Sequence, residues 1–479
     1  MNTAPEGLMP MTDQAMESWT GKLLGAEPAQ TRRPLPEFLK AIPRLDALSD
    51  LPAGTAVLVR GDLDCKPGKQ VGEGDIRLHS MKDTLLYGRQ RGWKQIVFGH
   101  VGRDPDASLA NVRQRLAAIL GCPVAFFEDW LDEPTLSINP KLAAGIEKSP
   151  PGTIIMLENT RKYSIERVLW KAKPADAAAL APKLAKVAAA FAEKVARIYV
   201  HEAFSAGSLD TSSVIVPAAM DRVALGRYEA QEFDGPLMRC LKASLVVFSG
   251  LKIDKLDDLS AIIERGNVRM VIAAGSLAMA LKKADAALAG GDFSLGLAED
   301  AGRSEEPYYI PQSRIDQAKA MLTAGRQRGV EFVLPVDFLL QDGRVAEKIG
   351  PGDQQLDIGP KTSQLFEDKV GQFIAAAKSN STLAPVAFHN GVFGKFEEQA
   401  FEEGTRKFML QLKRMHDAGI EVYIGGGEGG KALERYGKPD WVTHVFTAGG
   451  TVLNALGGEP VPYLLALKMA AERELASRG

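Results

Sequence analysis

Short β-branched runs alternate with longer helical patterns along almost all of the 479-residue chain, and this alternation restricts the fold more than any other feature. Candidate strands lie at 56–60, 95–100, 123–127, 153–158, 197–201, 244–249, 269–273, 331–336, 385–388, 421–424 and 443–446. Helix-like stretches such as 174–193, 313–328 and 401–418 separate them. The strand runs are almost continuously apolar, so both of their faces are covered, as in parallel sheets flanked by helices. A chain this long exceeds one ordinary core. The expected fold is therefore α/β: two doubly wound, mainly parallel-sheet (Rossmann-like) domains joined by a hinge helix. Their expected bounds are 41–224 and 243–458, with the hinge at 225–242, where Gly226, Gly235 and Pro236 fall. Residues 1–40 read as a loosely ordered extension, 459–479 as a helical tail, and 286–310 as a surface insertion rich in Gly, Ala, Ser and acids.

In sheets of this kind ligands bind beyond the carboxyl ends of the strands, and three strands here run into glycine turns. Residues 420–430 read Ile-Glu-Val-Tyr-Ile-Gly-Gly-Gly-Glu-Gly-Gly, and a helical pattern follows at Lys431. Similar turns follow at 442–450 and at 271–277, the latter around Gly275. Such turns let backbone N–H groups converge on an anion at a helix N-terminus. Glycine turns also end strands for steric reasons alone. The net charge of -2 points to neither nucleic acid nor membrane as partner, so any anion site is a local cluster. Cys65, Cys122 and Cys240 have no metal-ligand spacing and imply a reducing compartment. No run is long and apolar enough for a transmembrane helix and no secretory pattern opens the chain, so the expected location is cytoplasmic. No coiled-coil seam argues against a monomer.

Polar groups gather after the strands of the first half. Asp62 and Asp64 follow 56–60, His100 and Arg103 follow the next run, Arg161 follows 153–158, and Arg77 lies between. Three arginines and a histidine at one sheet edge suit a small, multiply anionic substrate, and Asp62 suits a substrate hydroxyl. Taken singly, each is also an ordinary solvated or ion-paired group. Arg60, inside a strand, reads as a structural ion pair. In the second half, Lys252 and Lys255 suit phosphate oxygens, Glu397 suits ribose hydroxyls and Glu428 suits Mg²⁺. No Gly-x-x-x-x-Gly-Lys-Ser/Thr segment occurs.

In order and spacing these segments resemble phosphoglycerate kinases over roughly 45–458. Val57-Leu-Val-Arg-Gly-Asp-Leu-Asp64 resembles the family's Val-Asp-Phe-Asn segment, Gly99-His-Val-Gly-Arg103 its Ser-His-Leu-Gly-Arg, and Met156-Leu-Glu-Asn-Thr-Arg161 its Leu-Glu-Asn-Leu-Arg. Leu334-Pro-Val-Asp-Phe338, Asp357-Ile-Gly-Pro-Lys-Thr362 and Asn390-Gly391 match further segments. The resemblance implies Mg²⁺-dependent phosphoryl transfer between ATP/ADP and the carboxylate of 3-phosphoglycerate, with no general base and with closure about the hinge. It implies that Arg77, Lys252 and Gly426 serve the phosphoryl group in flight. Asp62, Asp64, Arg77, His100, Arg103 and Arg161 would hold the acid. Lys252, Lys255, Gly275, Asn390, Glu397 and the loop Gly425, Gly426, Gly427, Glu428 and Gly429 would hold the nucleotide, with Glu428 on the metal.

Several positions depart from the family's pattern. Leu209 stands where the family carries a substrate-binding arginine, Ser208 replaces a histidine, and Asp64 replaces an asparagine. The segment Gly250–Lys255 is one residue short, which would swing Lys255 by about 100° on a helix. Glu428 replaces Asp, Gly429 replaces Thr, and Ser249 and Ala448 replace glycines. Three expectations follow: a divergent phosphoglycerate kinase, a kinase of the same fold acting on another acid, or a non-catalytic nucleotide-binding paralogue.

Overall fold

A computed structural model describes residues 35–172, 176–251, 253, 255–457 and 461–478. The chain divides into two compact units, Met1–Asp234 with Glu459–Gly479, and Gly235–Gly458.

The first unit holds β1 (Ala56–Gly61), β2 (Lys94–Phe98) and β3 (Ala125–Phe127), a short antiparallel pair β4 (Leu131–Asp132) and β5 (Ser137–Ile138), then β6 (Ile154–Leu157), β7 (Ile198–Glu202) and β8 (Arg222–Leu225). Its main sheet has the order β3-β6-β2-β1-β7-β8, with every pairing parallel. The chain winds outward from β1 through β2, then returns to β7 on the other side. The β1/β7 boundary is therefore a switch point, where loops diverge and leave a crevice. Val57, Val59, Ile154, Leu78 and Trp93 belong to one buried cluster on this sheet. Local signals place the helices: Asn139 caps Pro140–Lys148 by accepting the Lys141 N–H at 2.9 Å, and Gly121, at φ +64°, ends Ala110–Leu120.

The second unit repeats the plan. Strands β9 (Leu245–Phe248), β10 (Met270–Ala273) and β11 (Glu331–Val333) are followed by a small antiparallel sheet of β12 (Phe338–Leu340), β13 (Val345–Ala346) and β14 (Gln355–Ile358). Then come β15 (Val386–Asn390), β16 (Glu421–Gly425) and β17 (His444–Phe446). The parallel order β11-β10-β9-β15-β16-β17 puts the switch point between β9 and β15.

All eleven expected strand regions contain a strand, within a few residues at each end. β8, the β4–β5 pair and the three-stranded antiparallel sheet lie outside the expected strands. The expected hinge, 225–242, holds the last residue of β8, the helix Arg227–Glu232, a wide π turn at Phe233–Leu237 and the helical turn Met238–Cys240. The division between the units falls inside this run, at Asp234 and Gly235. The extension expected at 1–40 needs one correction: Leu35–Ala41 is a helix, because Leu35, Phe38 and Leu39 share one face and are buried. Residues 1–34 lie outside the described residues. The tail forms the helix Pro462–Arg478, which packs within the first unit, where Tyr463 stacks on His201 with ring centroids 4.0 Å apart. No helix among the described residues is long and apolar enough to cross a membrane.

Candidate active site

At the carboxyl edge of the first sheet, the loops after β1, β2, β6 and β7 are tied together by their own charges. Asp64, after β1, accepts the Gly102 N–H at 2.8 Å and pairs with Arg77 Nη1 at 3.1 Å. The carbonyl of Asp64 accepts from the same Nη1 at 2.7 Å. Burial works against the Asp64 charge, but the Gly102 N–H and the cations His100 and Arg77 hold its carboxyl below the ordinary value. The charge introduced at Asp64 thus acts as a clamp on Arg77. Arg77 sits on the short helix Ile76–Ser80, which the buried Asp75–Arg115 ion pair anchors. Arg77 Nε lies 3.8 Å from Asp62 Oδ1, which accepts from Ser205 Oγ at 2.7 Å. The second oxygen, Asp62 Oδ2, is buried and has no hydrogen-bond partner among the described residues. An orphaned acceptor of this kind calls for a donor from water or ligand.

The centre of the cluster is a residue that the sequence reading passed over. Asp210, in the loop after β7, is fully buried and accepts from Arg161 Nη2 at 3.0 Å and from Trp170 Nε1 at 2.9 Å. Its Oδ2 lies 3.2 Å from His100 Nδ1 and 3.6 Å from Arg60 Nη2. Burial opposes its ionisation, yet His100, Arg161 and Arg60 outweigh that and hold the carboxyl well below its usual range. His100 is pushed below its ordinary value chiefly by burial, and its Nδ1 lies 2.8 Å from Arg60 Nη2. His100 Nδ1 thus faces both Arg60 Nη2 and Asp210 Oδ2, and this one ring nitrogen links the guanidinium to the carboxylate. Glu166, buried beside Asp210, is pushed up to about 7 by burial and by the Asp210 charge.

Arg60, expected in a structural ion pair, belongs to this cluster and has its other donors occupied. Nε faces Ser212 and Ser213 hydroxyls at 3.1 Å each, and Nη1 donates to Gly61 O at 2.7 Å. Arg161 also donates to Gly102 O at 2.6 Å and lies 4.6 Å over the Trp170 ring. The structure therefore brings Asp62, Asp64, Arg77, His100 and Arg161 together. Arg103 is exposed and has no ion-pair partner among the described residues. Asp210 carried one available signal: it directly follows the divergent Leu209, in the loop after β7.

In the second unit the loops after β9, β10, β15 and β16 meet at the sheet edge. Gly275, at φ +64°, lets the start of the helix Gly275–Leu288 touch the Gly250 turn, and the Ser276 N–H reaches Gly250 O at 3.1 Å. Asn390 ties β15 to β16 by donating to Gly425 O at 2.9 Å. Gly426, at φ +92°, turns the chain into the helix Gly427–Tyr436, whose first turn carries the exposed Glu428 and the buried Gly429. These elements border a cavity of about 510 Å³, lined in part by Gly250, Gly275, Tyr308, Val392, Glu397 and Glu428. That volume suits a nucleotide-sized ligand. Tyr308, Leu295 and Ala298 come from the stretch expected to be a surface insertion, and they form cavity wall instead. Lys255 opens the helix Lys255–Glu264, and its Nζ donates back to Ser249 O at 2.9 Å. Lys252 lies outside the described residues. Glu428 and Glu397 place two carboxylates at the cavity wall, of which Glu428 stands in the first turn of the glycine-bounded helix. This fits Mg²⁺, which takes one or two protein carboxylates and draws its remaining ligands from substrate phosphates and water.

The chain matches the family model for phosphoglycerate kinase over residues 48–459. It is 28% identical over 430 residues to a phosphoglycerate kinase of Clostridium beijerinckii, covering 87% of this chain and 96% of the relative. It is 31% identical over 453 residues to one of Rhodospirillum centenum, covering 89% and 99%. Among solved structures, the phosphoglycerate kinase of Pyrococcus horikoshii OT3 superposes with a TM-score of 0.67 at 22% identity, covering 90% of this chain and 100% of that one.

Proposed function

From the premise that this chain belongs to the phosphoglycerate kinase family, we propose that it transfers a phosphoryl group between ATP and the carboxylate of a small acid. The single observation that carries the reading is the pairing of one glycine-bounded, nucleotide-sized cavity with one clamped arginine site on a chain of this family. Gly250 and Gly275 admit phosphates close to the backbone, Glu397 receives ribose hydroxyls, and Asp62 Oδ2 accepts a hydroxyl of the acid. In the forward step an acid carboxylate oxygen forms a bond to the γ-phosphorus. The bond to the β,γ-bridging oxygen breaks, and ADP leaves with its electron pair. The acceptor is already ionised at neutral pH, so no proton moves and no general base is needed. Arg77, held by Asp64, supplies fixed positive charge to the phosphoryl oxygens as charge develops. Mg²⁺, when bound beside Glu428, would neutralise nucleotide phosphates.

The family's own acid, 3-phosphoglycerate, is the first substrate to test. A coupled assay with MgATP and 3-phosphoglycerate, run beside calorimetric titration with MgADP, separates the possibilities. Saturable MgADP binding that Glu397→Ala weakens supports the reading, and failure to bind nucleotide contradicts it. A specific observation favours a different acid within the same chemistry: Asp210 already lies among the cations, and Leu209 stands beside it.

A further inference from the structure

We propose that Asp210 is a resident counter-anion, so that the acid site takes a small hydroxy acid whose one anionic group is its carboxylate. The inference rests on the phosphoryl-transfer reading above and names its substrate class. Arg161, Trp170, His100 and Arg60 surround one carboxylate at 2.9–3.6 Å. Two guanidinium groups, an imidazole and an indole N–H make up the kind of donor set that would otherwise hold a substrate phosphate. Here a side chain of the protein fills it. All four of Asp210, Arg60, Arg161 and His100 are buried. A phosphate reaching them would meet both closed packing and a like charge within a few ångströms.

Few donors remain to take a second anionic group. Arg60 is committed to Ser212, Ser213 and Gly61, and Arg161 to Gly102 and Asp210, with the buried Arg161 Nε left as the one guanidinium N–H of that pair without a hydrogen-bond partner among the described residues. The more accessible cations are Arg77, with a quarter of its side chain exposed (26%), and the exposed Arg103. Those two suit one carboxylate and the phosphoryl group it receives. Leu209 offers no charge nearby. The orphaned Asp62 Oδ2 asks for a hydroxyl donor, which is why the acid carries one.

D-Glycerate and 3-phosphoglycerate differ only by the distal phosphate, so they isolate the claim. Binding of each, and of inorganic phosphate, is measured on the full-length chain by thermal shift and by fluorescence of Trp170, whose indole N–H touches Asp210. In the wild type, glycerate binds at least as tightly as 3-phosphoglycerate, and phosphate shifts neither signal. Asp210→Asn keeps the shape and removes the charge. It gains about tenfold or more in affinity for 3-phosphoglycerate, while glycerate affinity stays within about threefold. It also becomes stabilised by inorganic phosphate, which refills the vacated charge. Asp210→Ala serves as the second variant. A wild type that prefers 3-phosphoglycerate overturns the proposal without any variant, as do folded variants that gain no affinity for it. MgADP binding, titrated in parallel, belongs to the kinase reading alone. Its absence would sink that reading and leave the anion result to be judged separately.

Discussion

Gly275→Ala tests the packing at the wall of the proposed nucleotide cavity, and Gly290→Ala is its built-in control. Both glycines flank the helix Gly275–Leu288 and both have positive φ, +64° and +78°. An alanine at either position bears the left-handed backbone penalty of about 1–2 kcal/mol. At Gly290 nothing lies within 4 Å of the added Cβ, so the cost stops there. At Gly275 the Cβ would stand 2.6 Å from Gly250 O and 2.9 Å from Gly250 N. Both obstacles are backbone, so no rotamer change relieves them. The Gly250 turn must retreat, which strains the Ser276 N–H bond to Gly250 O. Overpacking adds about 1–3 kcal/mol and the weakened bond about 1 kcal/mol, which with the backbone penalty gives a total near 3–6 kcal/mol. Gly250 and Gly275 both line the cavity, so MgADP affinity should fall about tenfold or more. The assays are urea denaturation followed by amide exchange in β9 and β15, and calorimetry with MgADP. Equal losses in the two variants, or unchanged nucleotide affinity in Gly275→Ala, would refute the reasoning.

Two further outcomes concern the first unit. Glu202 is buried, accepts from Thr84 Oγ1 at 2.7 Å, and is pushed up to about 8, first by burial. Its raised pKa means that its contribution to stability is complete below the ordinary carboxylate value near 4.5 and is lost as pH rises to about 8. Glu202→Gln should therefore flatten the fall in stability of this unit between those two pH values, and an unchanged slope in urea titrations would contradict the assignment. Leu209→Arg alone should leave 3-phosphoglycerate affinity within about threefold of wild type, but add about tenfold in the Asp210→Asn background. Simple additivity in the double-mutant cycle would show that the two positions are independent.

The parallel strands were legible because a strand buried on both faces must be apolar along its length, as Leu58, Ile96 and Val246 show. β8 was harder: it has only four residues, opens on Arg222 and ends at Leu225, where the expected hinge begins. The antiparallel β12–β14 sheet was missed because its strands run only two to four residues and are broken by Asp342-Gly343 and Pro351-Gly352 turns. The arginines announced themselves by following strands. Asp210 did not, because its importance comes from the fold bringing β1 and the loops after β2 and β6 around it. Apart from its place directly after Leu209, a single carboxylate among Ser, Leu and Thr carries no local mark of that position. Tyr308 was hidden in the same way: a Gly- and Ser-rich stretch reads as surface until the fold shows it lining the cavity.

The most direct test of the account is formation of an acyl phosphate, trapped as a hydroxamate by hydroxylamine, from MgATP with glycerate or 3-phosphoglycerate. The predicted result is ATP-dependent hydroxamate, formed from glycerate in preference to 3-phosphoglycerate. Arg77→Ala should reduce it by about a hundredfold or more, while MgADP affinity moves less than about threefold. No hydroxamate from either acid by a protein that binds MgADP, or equal losses of turnover and nucleotide affinity in Arg77→Ala, would contradict the account.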